Sequence, residues 1–347
     1  MSVGRGSGRW RCLAIAAVVL IAACGGGSGG AGGGTDRDAG GSADPIRLGY
    51  SAWPGWYPWA VAERAGIFDE VGVEVELVFF SDYLSSLDAL AAGQIDANSQ
   101  TLNDTLVSVS AGSDQRVVLV NDNSAGNDAI IVDESVRSIE DLAGRTVAAE
   151  IGVVDHFLLL QGLRSVGLSE DDIDFRGLPT DAAAAAFASG EVDAAGVFAP
   201  FTLQALERPG SRVLFDSADF PGTIPDLLVT SAELVEGRPD DVQKLVDAWY
   251  ATLDHIQAEP EASLEILAEV AELSPEQYRS LEEGTRLFSA DEALAAFRGE
   301  APPEGLRPMA EQINEFLVST GLAETPAPLD DLFVDSFTAD HLQRQGG

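Results

Sequence analysis

Hydrophobic residues in this chain recur at two spacings, and the two alternate from Ile46 onward. Short runs rich in β-branched and aromatic residues, "IRLGYSA", "VEVELVFF", "IDANSQ" and "RVVLVND", read as strands. Between them lie segments with apolar residues three and four apart. These are "PWAVAERAG", with Pro58 in its first turn, "SDYLSSLDALAAG", with Ser81 or Asp82 as N-cap, and "LNDTLVSVSAG". Strands alternating with helices predict a mostly parallel sheet covered by helices.

The same order then restarts with the strand "GRTVAAE", the helix "DHFLLLQGLRSVG", the strand "DIDFRGL", the helix "TDAAAAAFASG" and the strand "VDAAGVF". The two passes share a local signature. "LAAGQIDAN" at 90–98 matches "FASGEVDAA" at 187–195: a helix closes on Gly93 or Gly190, and a strand opens with Ile95-Asp96 or Val192-Asp193. Two topologically equal lobes explain this spacing. "NDNSAGND" at 121–128 lies between the passes, and "FDSADFPGTIPD" at 215–226 follows the second, before the strand "LLVTS". Two crossings predict that the chain enters lobe two and returns, with lobe one at 45–125 and 222–347 and lobe two at 126–221. The remainder, from "RPDDVQKLVDAWYATLDHIQAEP" to "LRPMAEQINEFLVSTG", is helical and is expected to pack on lobe one and the hinge.

The N-terminus follows a different pattern. "MSVGRGSGRWR" is basic, and the apolar run "CLAIAAVVLIAA" is shorter than the roughly 20 residues a membrane span needs. It ends in "IAAC". Residues 1–23 are expected to be a signal peptide and Cys24 a lipid-attachment site, followed by a Gly-rich tether at 24–44. That arrangement implies export and anchoring at the outer face of the cytoplasmic membrane.

Composition narrows the chemistry. The formal net charge is −37, and Lys244 is the only lysine. Such a surface lacks the cation surplus that drives nucleic-acid binding. Cys12 and Cys24 are the only cysteines, so no disulfide, thiolate metal site or cysteine nucleophile is expected in the mature chain. His156, His255 and His341 match no metal spacing, and no phosphate loop or Gly-x-Ser-x-Gly elbow occurs. No cofactor is expected.

"WPGWYPWAVAERAGIFDEVGVEVELV", "LDALAAGQIDANSQTLND", "SIEDLAGRTVAAEIGVVDHFLLLQGL" and "FASGEVDAAGVFAP" resemble the substrate-binding proteins of bacterial ABC importers. The resemblance covers roughly residues 45–255 and is to the branch serving nitrate, taurine, alkanesulfonates and thiamine-pyrimidine precursors. It implies a type II periplasmic-binding-protein-like α/β fold with two hinge crossings and a helical C-terminal part. It also implies a monomer that captures a small solute between its lobes and delivers it to a membrane permease, without catalysis.

In such sheets ligands bind beyond the carboxyl ends of the strands. The loop "SAWPGWYP" then places Trp53, Trp56 and Tyr57 at the cleft, while Trp59 is expected in the core. The corresponding loops offer Ser81, Asp82 and Tyr83; Ser99, Gln100 and Thr101; and Glu150, Asp155 and His156. Phe198 and Pro200 follow a later strand. Asp122, Asn127 and Asp128 fall in the first crossing, and Thr223 and Asp226 near the second. Ser81, Asp82 and Asp155 read equally well as helix caps, Asp128 as a solvated hinge residue, and Phe157 as core. The only basic residues from Gly49 to Arg116 are Arg64 and Arg116, and loops 148–157, 196–204 and 216–227 carry no Arg or Lys. A neutral, zwitterionic or cationic ligand follows, with a thiamine-pyrimidine precursor or an aminosulfonate favoured over nitrate. Two other classes stand beside this reading: a thiamine-pyrimidine-synthesis-like enzyme, whose cysteine-rich motif this chain lacks, and a sensory lipoprotein reusing the fold.

Overall fold

The computed structural model describes residues 44–300 and 305–346. The expected signal peptide, Cys24 and the tether up to residue 43 lie outside the described residues. Among the described residues, strands β1 (Ile46–Ser51), β2 (Val75–Phe80), β3 (Ala97–Thr101) and β4 (Gln115–Ser124) come first. Next come β5 (Asp128–Val132), β6 (Thr146–Ala149), β7 (Asp174–Gly177), β8 (Ala194–Phe198) and β9 (Arg212–Asp216), then β10 (Pro225–Ser231) and the short β11 (Thr285–Leu287).

They form two sheets, ordered β11-β4-β10-β3-β1-β2 and β7-β6-β8-β5-β9. With β11 set aside, the orders are the same: the first strand of each lobe sits between its second and third, and a strand arriving from the other lobe separates the third from the fourth. These incoming strands, β10 and β5, run antiparallel to both neighbours. The other lobe-one strands β1–β4 share one direction, as do β6–β9 in lobe two, so the sheets are mostly parallel as expected.

The repeated "ID" and "VD" signature has a structural reason. Asp96 accepts the Arg47 N–H at 2.9 Å, and its counterpart Asp193 accepts the Thr146 N–H at 3.0 Å. Each aspartate thus ties the start of its lobe's first strand to the approach to the third. Gly93 and Gly190, with φ of +68° and +82°, supply the left-handed turns before them, as the sequence predicts.

Two features differ from the sequence reading. Strands β9 and β11 were not expected, and the crossings are shorter than predicted. Pairing of Pro225 with Asn123 and of Asp128 with Phe198 draws Asp122 into β4 and makes Asp128 the first residue of β5. Neither aspartate is in a crossing, and Asp128 is buried rather than solvated. The crossings themselves are joined: Ser124 and Ser217 share a hydroxyl hydrogen bond at 2.7 Å, and Ser217 also accepts the Gly126 N–H.

The C-terminal helices cover lobe one, again as expected. The helix Pro239–Ala258 buries an apolar face centred on Trp249. Trp249 meets Trp59 with ring centroids 4.7 Å apart, and the Trp59 indole N–H donates to Ser99 Oγ at 2.9 Å. Trp59 is therefore core. No helix among the described residues is long and apolar enough to cross a membrane. Truncation of this fully buried indole should be costly: Trp59→Ala is expected to lower unfolding stability by about 3–5 kcal/mol. Urea denaturation checks this, and a loss below about 1 kcal/mol would mean that the C-terminal helix does not depend on the aromatic pair.

Candidate functional site

The loop after β1 is held over β4. Its backbone turns on hydrogen bonds from the Trp56 and Tyr57 N–H groups to the Trp53 carbonyl. The Tyr278 hydroxyl, on the helix Pro275–Glu282, donates to the Pro54 carbonyl at 3.1 Å. Gly55 is obligatory for this approach: a Cβ there would lie 2.0 Å from the Asp122 carboxylate. Trp53 completes the attachment by donating its indole N–H to Asp122 Oδ1 at 3.0 Å.

A narrow cavity of about 10 Å³, room for about one water, lies between the closed lobes at the carboxyl ends of the strands, so a larger solute enters only when the lobes part. Lobe one contributes Trp53, Trp56, Tyr83, Thr101 and Asp226, and lobe two contributes Asp128, Val154 and Phe198. The aromatic wall is continuous across the lobes. Trp56 stands 5.4 Å from Tyr83, and Phe198 meets both Trp53 and Tyr83 edge-on at 6.5 and 6.1 Å. No arginine, lysine or histidine lines the cavity.

Around and beneath it is a group of buried carboxyls. Asp122 and Asp226 face each other across β4 and β10. Burial pushes Asp122 up to about 7 against the stabilising Trp53 hydrogen bond. Burial likewise raises Asp128 to about 7, and Asp226 well above the carboxylate range, the latter aided by repulsion from Asp122 and Asp128. Asp104 is raised to about 7 by burial, although it accepts hydrogen bonds from Thr101 and Asn103. In lobe two, the Thr180 N–H donates to Glu150 and the Thr180 hydroxyl lies between Glu150 and Asp155, and burial raises both acids. One oxygen each of Asp122, Asp128, Asp155 and Asp226, and the Trp56 indole N–H, have no hydrogen-bond partner.

Two acids reach across the lobes. The backbone at Val154, starting the lobe-two helix Val154–Ser165, offsets part of the burial of Asp104, and that at Leu84, in the lobe-one helix Tyr83–Ala91, offsets part of the burial of Glu150.

The structure thus brings Trp53, Trp56, Tyr83, Thr101, Asp128, Phe198 and Asp226 to one cavity, with Asp122 directly behind. The remaining expected residues do not line it. Tyr57 turns into the core against Tyr278, because the loop is tied down there. Ser81 is exposed, and Asp82 caps the helix Tyr83–Ala91 through the Ser85 N–H. Gln100 bonds to Thr105 and Gln115 inside the sheet. Glu150 and Asp155 serve Thr180, and neither caps the helix Val154–Ser165. His156 pairs with Glu170 and stacks on Phe175 at 4.5 Å. Pro200 precedes the helix Phe201–Ala205, Thr223 donates to the Phe220 carbonyl, and Asn127 donates to Leu281 and Thr285. Sequence reasoning missed Val154 and Asp104. For Asp104 the available signal, Thr101 three residues before it at a helix start, indicates a cap and says nothing of burial.

The raised acids make stability depend on pH in a defined direction. Asp104, Asp122 and Asp128 hold protons to about pH 7 when folded but release them near 3.8 when exposed. Between those values the folded chain binds more protons, so the ligand-free protein should lose stability as pH rises from about 4 to about 7, then level off. Urea midpoints across that range check this, and Asp122→Asn or Asp128→Asn should flatten the decline. A midpoint that rises through the same window would show the acids to be ionised and paired.

Comparison with known proteins agrees with this architecture. The profile of the NMT1-like family matches residues 40–272. A Brucella abortus protein described as a binding protein is 26% identical over 302 residues, covering 85% of this chain and 92% of its own. The taurine-binding periplasmic protein of Escherichia coli is 24% identical over 294 residues, covering 83% of each. The crystal structure of the periplasmic aliphatic sulphonate binding protein SsuA from Escherichia coli superposes with a TM-score of 0.68 at 23% identity, over 82% of this chain and 90% of that one. The desulfurization enzyme DSZB shares the fold at a TM-score of 0.61 and 19% identity, over 86% of this chain and 99% of its own.

Proposed function

The chain belongs to the NMT1-like family, and on that footing we propose that it is the extracytoplasmic solute-binding component of an ABC importer. It captures a small nitrogen- or sulfur-containing organic compound between its lobes, with a thiamine-pyrimidine precursor or an aminosulfonate favoured over nitrate. The observation that carries this reading is the cavity itself. An aromatic wall and carboxyl groups from both lobes converge on one closed gap at the strand ends, bridged by two short crossings. Full-length relatives named for binding, including a taurine-binding protein, support the solute-binding role.

On this reading the lobes, 45–125 with 222–347 and 126–221, close by bending at the crossings near Ala125–Asn127 and Ser217–Ile224. Trp53 and Trp56 form the wall against which the solute stacks. The closed pair of lobes then docks on a membrane permease whose ATPase is driven from inside the cell. Cys24 carries the lipid that keeps the protein, a monomer, at the outer face of the membrane.

Three experiments test this. The protein, added with its solute to proteoliposomes holding its cognate permease and ATPase, should stimulate ATP hydrolysis several-fold. Trp53→Ala and Trp56→Ala should each weaken solute binding at least tenfold in tryptophan fluorescence titration. Failure of every solute to stimulate the transporter would overturn the importer role. Cys24→Ala should move the protein from the membrane fraction to the soluble fraction, and an unchanged distribution would remove the lipid anchor.

A further inference from the structure

The ligand class follows from the polar atoms left over at the cavity, an inference that rests on the solute-binding reading. We propose that the cavity takes a small organic cation: a protonated amine or amidine on a flat apolar body. Its N–H groups lie on Asp128 and Asp226, and its body lies within the aromatic wall.

Asp128 and Asp226 both line the cavity, are 2% and 1% exposed, and each keeps one carboxyl oxygen without a partner. Two unfilled acceptors at one small space call for a ligand that donates hydrogen bonds, and ionised carboxylates call for one that is positive. No basic side chain lines the cavity to hold an anion. Helix N-termini, the other means of binding an anion, face the chain's own acids there. Asp104 lies toward Val154 and Glu150 toward Leu84, so a sulfonate or nitrate at either helix start would sit beside a carboxyl group. Trp53, Trp56, Tyr83 and Phe198 surround the space with rings whose faces attract a cation and whose area suits a flat body. The unpartnered Trp56 indole N–H leaves one donor for a lone pair on the ligand.

The placement also couples binding to closure. Asp226 is on β10, in lobe one, and Asp128 is on β5, in lobe two. A cation held between them joins the lobes where two carboxylates would otherwise repel. Protons substitute for the cation in the empty site. The charged groups facing this pair are Asp122, Asp104, Asp155 and Asp216, all acids, so cation affinity increases from pH 6 to pH 8 as protons leave.

The test is calorimetry and thermal melting of the full chain at pH 8 with benzamidine, its neutral isostere benzamide, the anion benzenesulfonate, taurine and nitrate. Benzamidine is expected to raise the melting temperature by several degrees and to bind at least tenfold more tightly than benzamide, with benzenesulfonate and nitrate without effect. Asp128→Asn and Asp226→Asn should each reduce benzamidine affinity at least tenfold, while the ligand-free variants melt no lower than the parent. Binding of benzenesulfonate, taurine or nitrate in preference to benzamidine would overturn the cation assignment and leave the solute-binding reading standing. So would benzamidine affinity unaffected by both substitutions. Absence of benzamidine binding overturns it as well, and the transporter ATPase assay then decides the solute-binding reading separately.

Discussion

The cost of burying carboxylates governs the region between the lobes. Asp104, Asp122, Asp128, Asp155 and Asp226 are all but inaccessible, and Glu150 is nearly so. An ionised acid in such surroundings is expensive unless a cation or several hydrogen bonds compensate for it. Here no cation is among the cavity residues, and compensation comes from hydrogen bonds of Trp53, Thr101, Asn103 and Thr180. That compensation is partial: oxygens of Asp122, Asp128, Asp155 and Asp226 remain unpaired. Stability, lobe closure and ligand choice are linked through this deficit.

The topology explains why the acids meet. Each lobe inserts into its sheet one strand that has just crossed from the other lobe, and those strands, β10 and β5, begin at the cavity. Asp226 is the second residue of β10 and Asp128 the first of β5. Charge on either acts where the chain bends. The Trp53–Gly55 turn rests on Asp122, so the aromatic wall is positioned by one of the same acids.

The relatives share the scaffold while being named for different chemistry. One is named for taurine, a structural neighbour for aliphatic sulphonates, and another neighbour is a desulfurization enzyme. A common fold therefore leaves the chemistry to the side chains at the strand ends. In this chain those side chains are aromatic and acidic, a combination suited to donors and positive charge.

Much of the fold was legible in the sequence because it depends on local pattern. Apolar periodicity separated strands from helices, and the Gly-x-(Ile/Val)-Asp repeat marked two equal lobes. It did so because each aspartate caps the strand beside it, a short-range requirement that recurs wherever the unit recurs. The aromatic loop and the scarcity of basic residues were likewise readable, and they led to Trp53, Trp56, Asp128 and Phe198. Side-chain direction was not. Tyr57 and Trp56 are adjacent in sequence, yet one packs on Tyr278 and the other lines the cavity, a choice made by a helix more than two hundred residues away. His156 and Gln100 turned to distant partners for the same reason. The sequence by itself determined two α/β lobes, their order and the acidic, aromatic character of the strand-end loops. Only the tertiary structure decided which acids lose their water, because burial arises from strands and helices far apart in sequence closing over the same point.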